Sequence, residues 1–329
     1  MLITLADVIL DLMTLTHDVL IIGGGTAGQS AALMLTRAGR RVAIIDAGEP
    51  RNGVVEHMHA VLGHDGVKPT DLLARGRRDI EGYGGEFVDG RAVTAAPVDG
   101  GFAATLDGGD TLTARRLIVT TGLRDELPAI PGLREQWGRG VVTCPYCDGY
   151  EVRGRRIGVL ATSAGGVHQA QLLRQWSPQV TYFENATGMP EAEVAAGFAA
   201  RGVTVEPGPV AEVISTDGVL TAVVLADGRS VAIDSIFTAP TLVPNGTLLA
   251  DLGAELTESP IGTVVAVDAF GATSVPGVWA AGNVVNPMAN VPVSMGAGSM
   301  AGAAVNANLV QDDIARAVAS GHPPFTTQG

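Results

Sequence analysis

The run Gly23-Gly24-Gly25-Thr26-Ala27-Gly28 constrains this chain more than any other stretch. It fits G-x-G-x-x-G, follows directly on the apolar segment Asp18–Ile22, and opens a segment of helical spacing from Ala27 to Ala38 that Gly39 ends. Each glycine has its own reason. Gly23 permits a tight turn, Gly25 lets the backbone approach a pyrophosphate, and Gly28 permits close helix–strand packing. Thr26 and Ala27 then start a helix whose free N–H groups and positive dipole end suit phosphates. Arg41–Asp46 reads as the next strand, and Asp46 ends it at the spacing of a ribose 2′-OH acceptor. With strand, helix and acid in place, a nucleotide site is predicted over a ligand-free glycine turn.

The pattern recurs. Arg156–Ala161, Val167–Trp176 and Gln179–Glu184 read as a second strand–helix–strand unit. Short segments broken by Asp-Gly and Gly-Gly turns read as a meander over Glu86–Leu117, and a second meander carries turns at Asp217-Gly218 and Asp227-Gly228. His57–Tyr83 reads as loop plus helix, Leu117–Thr121 and Val278–Ala281 as strands, and Ser294–Ala319 as a long helix of small residues. The duplication predicts an α/β fold of two Rossmann-like, three-layer ββα nucleotide-binding domains, one inserted in the other. The expected boundaries are 14–122 with 245–329 for a discontinuous first domain and 123–244 for the insert. Residues 1–13 read as an N-terminal extension, with Met13 as an alternative start.

The chain has 329 residues, 46% of them apolar, enough for two cores. Its net charge of −13 argues against a nucleic-acid partner. The Arg75, Arg77, Arg78 and Arg153, Arg155, Arg156 groupings read as solvated surface. Asp7 and Asp11 interrupt the apolar N-terminus, which also lacks a basic start and a small-residue cleavage site. The expectation is a cytoplasmic protein without a membrane partner.

Both cysteines fall in Thr143-Cys144-Pro145-Tyr146-Cys147-Asp148-Gly149-Tyr150-Glu151. Two thiols with two residues between them at a helix start can form a disulfide, and the helix N-terminus favours a thiolate. Asp148 is placed to serve as general acid/base for the leaving thiol. A zinc site needs four ligands; no second Cys pair exists and no His has ligand spacing near Cys144, so no metal is expected.

Thr273–Asn283 is similar to the C-terminal flavin motif of two-domain flavoprotein reductases, with Asn283 where those proteins carry Asp. The whole chain after residue 17 resembles the low-molecular-weight thioredoxin reductase family. The resemblance rests on GGGTAG at Gly23–Gly28, TTG at Thr120–Gly122, CPYCDGYE at Cys144–Glu151 and GVWAAGN at Gly277–Asn283. It implies a homodimer with a discontinuous FAD-binding domain and an inserted NAD(P)-binding-like domain that carries the redox pair. It implies that Cys144 attacks substrate, that Cys147 neighbours the flavin and that Asp148 transfers the proton. It extends the FAD contacts to Arg51, Asn52, Val93, Thr121, Gly122, Gly282, Asn283, Asn290 and Val291. His57, His59 and His64 read as surface residues rather than as the rim of a substrate mouth.

The departures from that family matter as much. Its inserted domain has a G-x-G-x-x-A turn; here the stretch is Ala161-Thr162-Ser163-Ala164-Gly165-Gly166. Its NADPH enzymes follow the next strand with His-Arg-Arg; here Glu184-Asn185-Ala186 stands there, and an acid repels a 2′-phosphate. These changes argue against NADPH and allow weak NADH binding at most. Similar losses occur in relatives that oxidise dithiols of natural products and pass electrons through FAD to O2, whereas Asp148 matches the true reductases. Three readings stay open. One is an FAD-dependent dithiol oxidase acting on a small-molecule dithiol. Another is a reductase of a thioredoxin-like protein, driven by NAD(P)H or ferredoxin. The last is a non-enzymatic flavin redox sensor.

Overall fold

A computed structural model of the chain describes residues 15–185, 187–259 and 262–321. The extension expected at 1–13 lies outside the described residues. β1 (His17–Ile22) is buried on both faces from Val19 to Ile22, as an interior strand of a parallel sheet must be. α1 (Thr26–Arg37) connects it to the parallel β2 (Val42–Asp46), which sets Ile21 beside Ile44. A 3₁₀ turn at Arg51–Val54 and α2 (Pro69–Gly82) lead to β3 (Glu86–Asp89), parallel to β2. β4 (Ala92–Val98), β5 (Gly101–Leu106) and β6 (Thr111–Val119) form an antiparallel meander, and β6 also runs parallel to β1. The meander read from sequence therefore starts at β4, not at Glu86. Phe87 and Val88 pack into cores on opposite faces, which only a sheet covered on both sides can satisfy.

The chain continues through β7 (Leu123–Glu126), β8 (Val141–Val142), the single-turn α3 (Pro145–Asp148), β9 (Ile157–Leu160), α4 (Gly165–Leu173) and β10 (Val180–Phe183). Then come α5 (Ala192–Arg201), β11 (Val203–Glu206), β12 (Val210–Thr216), β13 (Val219–Leu225), β14 (Ser230–Ala232), β15 (Ser235–Thr238) and β16 (Thr241–Pro244). Last are α6 (Thr247–Asp251), β17 (Leu256–Ser259), β18 (Gly262–Val265), β19 (Val278–Ala280) and α7 (Val291–Ser320).

Two compact units result. The first takes the chain up to Arg51, Thr70–Arg124 and the part from Pro244 onward; the second takes Asn52–Pro69 and Asp125–Val243. The first holds the sheet β3-β2-β1-β6-β5-β4, with β19 added parallel to the end of β6. The second holds the parallel sheet β11-β10-β9-β15-β8 and the meander β12-β13-β14. The fold is thus the expected mixed α/β type with two Rossmann-like sheets. Asn52–Pro69, assigned from sequence to the first domain, groups with the second unit. Among its contacts, Val54 lies close enough to Gly138 to leave no room there for a side chain.

The small residues of α7 have a steric cause. A Cβ at Gly298 would overlap the Ala27 carbonyl, and one at Gly302 would come 2.7 Å from the Ala31 carbonyl oxygen. α1 and α7 thus meet backbone to backbone. At the far end of α7, Arg115 of β6 is 8% exposed and donates to Asp312 at 2.7 Å and Asp313 at 2.6 Å, with Asp18 at 3.5 Å. The carboxylates are partly exposed, so the loss is mainly that of the hydrogen bonds to the buried guanidinium. Arg115→Met is therefore expected to destabilise the protein by about 1 kcal/mol, measured by denaturant unfolding; an unchanged midpoint would contradict this role.

Candidate active site

In the first unit the glycine turn is built from both sides. Gly23 has φ +109°, a conformation only glycine adopts freely. The Thr120 hydroxyl donates to the Gly23 carbonyl at 2.7 Å and to Ile22 at 3.1 Å, and Gln29 Nε2 donates to the Gly24 carbonyl at 3.0 Å. Thr120 opens the Thr120–Gly122 stretch singled out in the sequence; Gln29 carries no motif signal. Gly25 is the N-cap of α1, makes no side-chain cap, and faces open space where a Cβ would lie. The N–H groups of Thr26, Ala27 and Gly28 therefore start a helix with no capping side chain, an arrangement that suits an anionic ligand. Asp46 Oδ1 accepts from Gly24 N at 3.0 Å, so the acid is fixed beside the turn.

The remaining candidates of this unit form the surrounding frame. Thr121 donates to the Asn245 carbonyl at 2.7 Å, and Gly122, at φ +68°, accepts from Asn245 N at 3.0 Å. Asn245, which sequence reading missed, closes the clasp by donating to the Thr121 carbonyl. Val93 is exposed, at the register shift of β4 between Ala92 and Thr94. Asn290 N-caps α7 by accepting from Val293 N at 3.1 Å, and Val291 is the first residue of that helix. Asn52 belongs to the other unit.

Asn283, expected from the resemblance to contact FAD, is held in the structure by its own loop. It lies in the 3₁₀ turn Gly282–Val284, and its Nδ2 faces the carbonyls of Asn286 (3.1 Å), Pro287 (3.2 Å) and Ala289 (2.8 Å). Its Oδ1 accepts from Arg51 Nη1 at 3.5 Å. An atom set against three carbonyl oxygens must be a donor, so an amide is required here and a carboxylate would be repelled. Asn283→Asp is expected to destabilise the protein by about 2 kcal/mol and to weaken cofactor retention, read by thermal melting and bound-flavin absorbance. Unchanged melting with tighter flavin binding in the variant would contradict this role.

In the second unit Cys144 and Cys147 are joined in a disulfide, with Cα atoms 5.2 Å apart. Cys144 is the N-cap of α3, and its carbonyl accepts from both Cys147 N and Asp148 N at 3.1 Å. Gln169 of α4 donates to the Thr143 carbonyl at 2.8 Å and so ties the entry to the motif. Burial pushes the Asp148 carboxyl up to about 6; the nearby Glu151 adds to the shift and His59 opposes it. An acid so tuned holds its proton in mildly acidic solution and can accept one near neutrality. Among the described residues no group of three or more His, Cys, Asp or Glu side chains is arranged to hold a metal ion.

The second strand–helix turn is tied to its neighbouring loops by side-chain hydrogen bonds. The Asn185 Nδ2 donates to the Ala161 carbonyl at 3.3 Å and its Oδ1 accepts from Val210 N at 3.1 Å, which ties the ends of β9 and β10 to the start of β12. Glu184 accepts from Gly208 N at 2.7 Å, and its buried Oε2 meets no partner among the described residues. Thr162 donates to the Ala239 carbonyl at 2.5 Å. Only Gly166, whose Cβ would lie 3.3 Å from Ala161, keeps a glycine-type close approach.

Residues 17–298 match the pyridine nucleotide-disulphide oxidoreductase family. The chain belongs to that family. Within this oxidoreductase family it is thioredoxin-reductase-like. It is 34% identical to thioredoxin reductase tcpT of Claviceps purpurea, over 90% of this chain and 95% of that protein. It is 31% identical to thioredoxin reductase sirT of Leptosphaeria maculans, over 91% and 96%. The crystal structure of HlmI superposes with a TM-score of 0.86 at 45% identity, covering 92% of this chain and 95% of that one. An oxidoreductase from Agrobacterium tumefaciens superposes at 0.84 and 42%, covering 89% and 98%. The oxidoreductase family uses FAD, and the uncapped α1 terminus, the open Gly25 and the fixed Asp46 fit its pyrophosphate and ribose. The chain is thus a flavoprotein thiol–disulfide oxidoreductase. Among the described residues no helix is long and apolar enough to cross a membrane.

Proposed function

We propose that this protein is an FAD-dependent dithiol oxidase that converts a small-molecule dithiol to its disulfide and delivers the electrons to O2 as hydrogen peroxide. The observation that carries the reading lies at the second turn: both turn-forming glycines are replaced, by Ala161 and Ser163, and Asn185 from the loop after β10 bridges Ala161 and Val210. A dinucleotide needs glycine there so that its pyrophosphate can approach the backbone. The redox pair and its acid are meanwhile intact.

The chain's own residues account for the thiol chemistry. Asp148 takes the proton of one substrate thiol. The resulting thiolate attacks Cys144 Sγ, the Cys144–Cys147 bond breaks, and its electron pair leaves on Cys147. The second substrate thiol gives its proton to the Cys147 thiolate and attacks the substrate sulfur joined to Cys144; that mixed disulfide breaks, its electron pair leaves on Cys144, and the product disulfide is freed. The substrate has lost two electrons and two protons, and the pair has gained two electrons. FAD, when bound, supplies the two-electron link from the pair to O2, so that R(SH)2 and O2 become the disulfide and H2O2.

Dithiol added to aerated protein should therefore consume O2 and release peroxide in equal amounts without NAD(P)H. NADPH-dependent reduction of a thioredoxin-like protein at comparable rates would favour the reductase reading, which the names of the fungal relatives and the presence of Asp148 support. Asp148 also predicts a pH profile. Below about 6 it is neutral and cannot accept a proton. Reduction of the disulfide by dithiol should thus rise up to tenfold per pH unit below about 6 and then lose that dependence. Asp148→Asn should remove the inflection and slow the step ~10²-fold; a mutant retaining both would contradict the assignment.

A further inference from the structure

The turn that carries the redox pair has its large and small residues the wrong way round for a solvated turn. Its inward positions hold Pro145 and Gly149, both buried, whereas Tyr146 and Tyr150 face out at 70% and 62% exposure. Cys144 and Cys147 lie half-buried at the boundary. Large aromatic side chains gain most from leaving water, so two rings set outward beside a reactive disulfide call for a partner that covers them during the reaction. We propose that Tyr146 determines the specificity of the thiol exchange: its ring receives the flat, uncharged face of a ring-borne dithiol while that substrate is joined to Cys144 Sγ. This inference deepens the dithiol-oxidase reading and rests on it.

Tyr146 is buttressed for this task. Its ring meets that of Trp176 edge to face, with centroids 6.4 Å apart and planes at 90°. Trp176 is itself wedged against the turn: a Cβ at Gly149 would lie 2.9 Å from Trp176 Cδ2 and Cε3, and the Trp176 carbonyl accepts from Gly154 N at 2.9 Å. The contact steadies the Tyr146 ring and still leaves most of it open. A tyrosine turns about only two side-chain bonds, so it loses little freedom when a substrate packs on it. Tyr146 stands between the two cysteines, whose Cα atoms are 5.2 Å apart. A substrate bonded to Cys144 Sγ projects from this same turn, so a ring-sized framework there comes within reach of Tyr146.

Charge narrows the substrate further. Asp148 and the exposed Glu151 follow the pair within four residues, and they repel a thiol that carries carboxylates, as a glutathione-like peptide does. Arg153, the next cation along the chain, is spent on Tyr150. Its guanidinium lies over that ring, 4.1 Å from the centroid, and its Nη1 donates to the Tyr150 carbonyl at 2.7 Å. The same contact covers one face of Tyr150, so Tyr146 presents the more open ring. An uncharged framework meets no repulsion from the acids and gains the aromatic contact. No bond changes beyond the exchange given above.

The test mixes holoprotein anaerobically with ortho-bis(mercaptomethyl)benzene or with dithiothreitol, both uncharged, over a range of concentrations. The reaction is quenched by alkylation and free thiols are counted at Cys144 and Cys147. The readout is the ratio of the two second-order rate constants, aromatic over aliphatic, in which any change in the reactivity of the protein disulfide itself cancels. Tyr146→Ala is expected to lower this ratio about tenfold, chiefly through a higher half-saturating concentration of the aromatic dithiol. Tyr146→Phe should restore it, because the ring and not the hydroxyl makes the contact. Tyr146→Leu, which keeps bulk without a flat face, should lower the ratio a few-fold and serves if the alanine variant does not fold. An unchanged ratio in the alanine or leucine variant overturns the inference, whether the ring is then a bystander or is covered by another part of the protein or a second copy. Faster reduction of the wild-type pair by a reduced thioredoxin-like protein than by either small dithiol also overturns it. Failure of both small dithiols to reduce the wild-type pair would instead overturn the dithiol reading and this inference with it.

Discussion

Cys147→Ser is expected to lower dithiol oxidation by at least ~10³-fold while leaving the fold and bound flavin intact. A hydroxyl cannot form the disulfide that joins Cys144 to Cys147. Nor is an alkoxide a leaving group comparable to a thiolate, so the exchange step loses both its acceptor and its outlet. Cys144→Ser should be equally severe, because neither half of a two-electron store works alone. Loss of this size exceeds the ~10²-fold expected from removing the acid alone. Peroxide release per unit of dithiol is the measurement, with flavin absorbance as the control. Serine variants that retain wild-type turnover would show that the sulfurs are bystanders.

The second large effect concerns the cofactor cradle. Gly28→Ala would drive a methyl group into the Gly23 carbonyl oxygen and to within 2.6 Å of Thr120 Oγ1. Neither neighbour can yield, because Thr120 itself holds Gly23 by a 2.7 Å hydrogen bond and Gly23 sits at φ +109°. Overpacking of this kind costs about 3 kcal/mol or more, and here it falls on the turn that shapes the pyrophosphate site. The variant should purify without yellow colour and melt well below the parent. Gly25→Ala is the informative contrast, since its added Cβ meets no protein atom. It should keep the fold and weaken FAD binding only.

The cradle was legible in the sequence because its determinants are local. A glycine's missing side chain and a strand's apolar run act over a few residues, so Gly23, Gly28 and the Asp46 strand could be read directly. What supports them could not. Thr120 is 97 residues from Gly23 along the chain, and Asn245 is 124 from Thr121. Such partnerships depend on which strands become neighbours. Glu86–Asp89 reads as meander in the sequence and is a parallel strand in the fold, because a short apolar pair gives no period and its two faces differ only in what covers them. Asn283 and Asn185 show a further limit. Replacement of an acid or a glycine by Asn is visible in sequence, but whether the amide faces ligand or backbone is set by the loop that folds around it.

The most direct test of the central claim is an anaerobic titration of the holoprotein, with flavin absorbance as readout. A small dithiol should bleach the flavin in the wild type and fail to do so in Cys147→Ser, while NADPH at micromolar concentration leaves the colour unchanged. Rapid bleaching by NADPH, with dithiol inert, would contradict it.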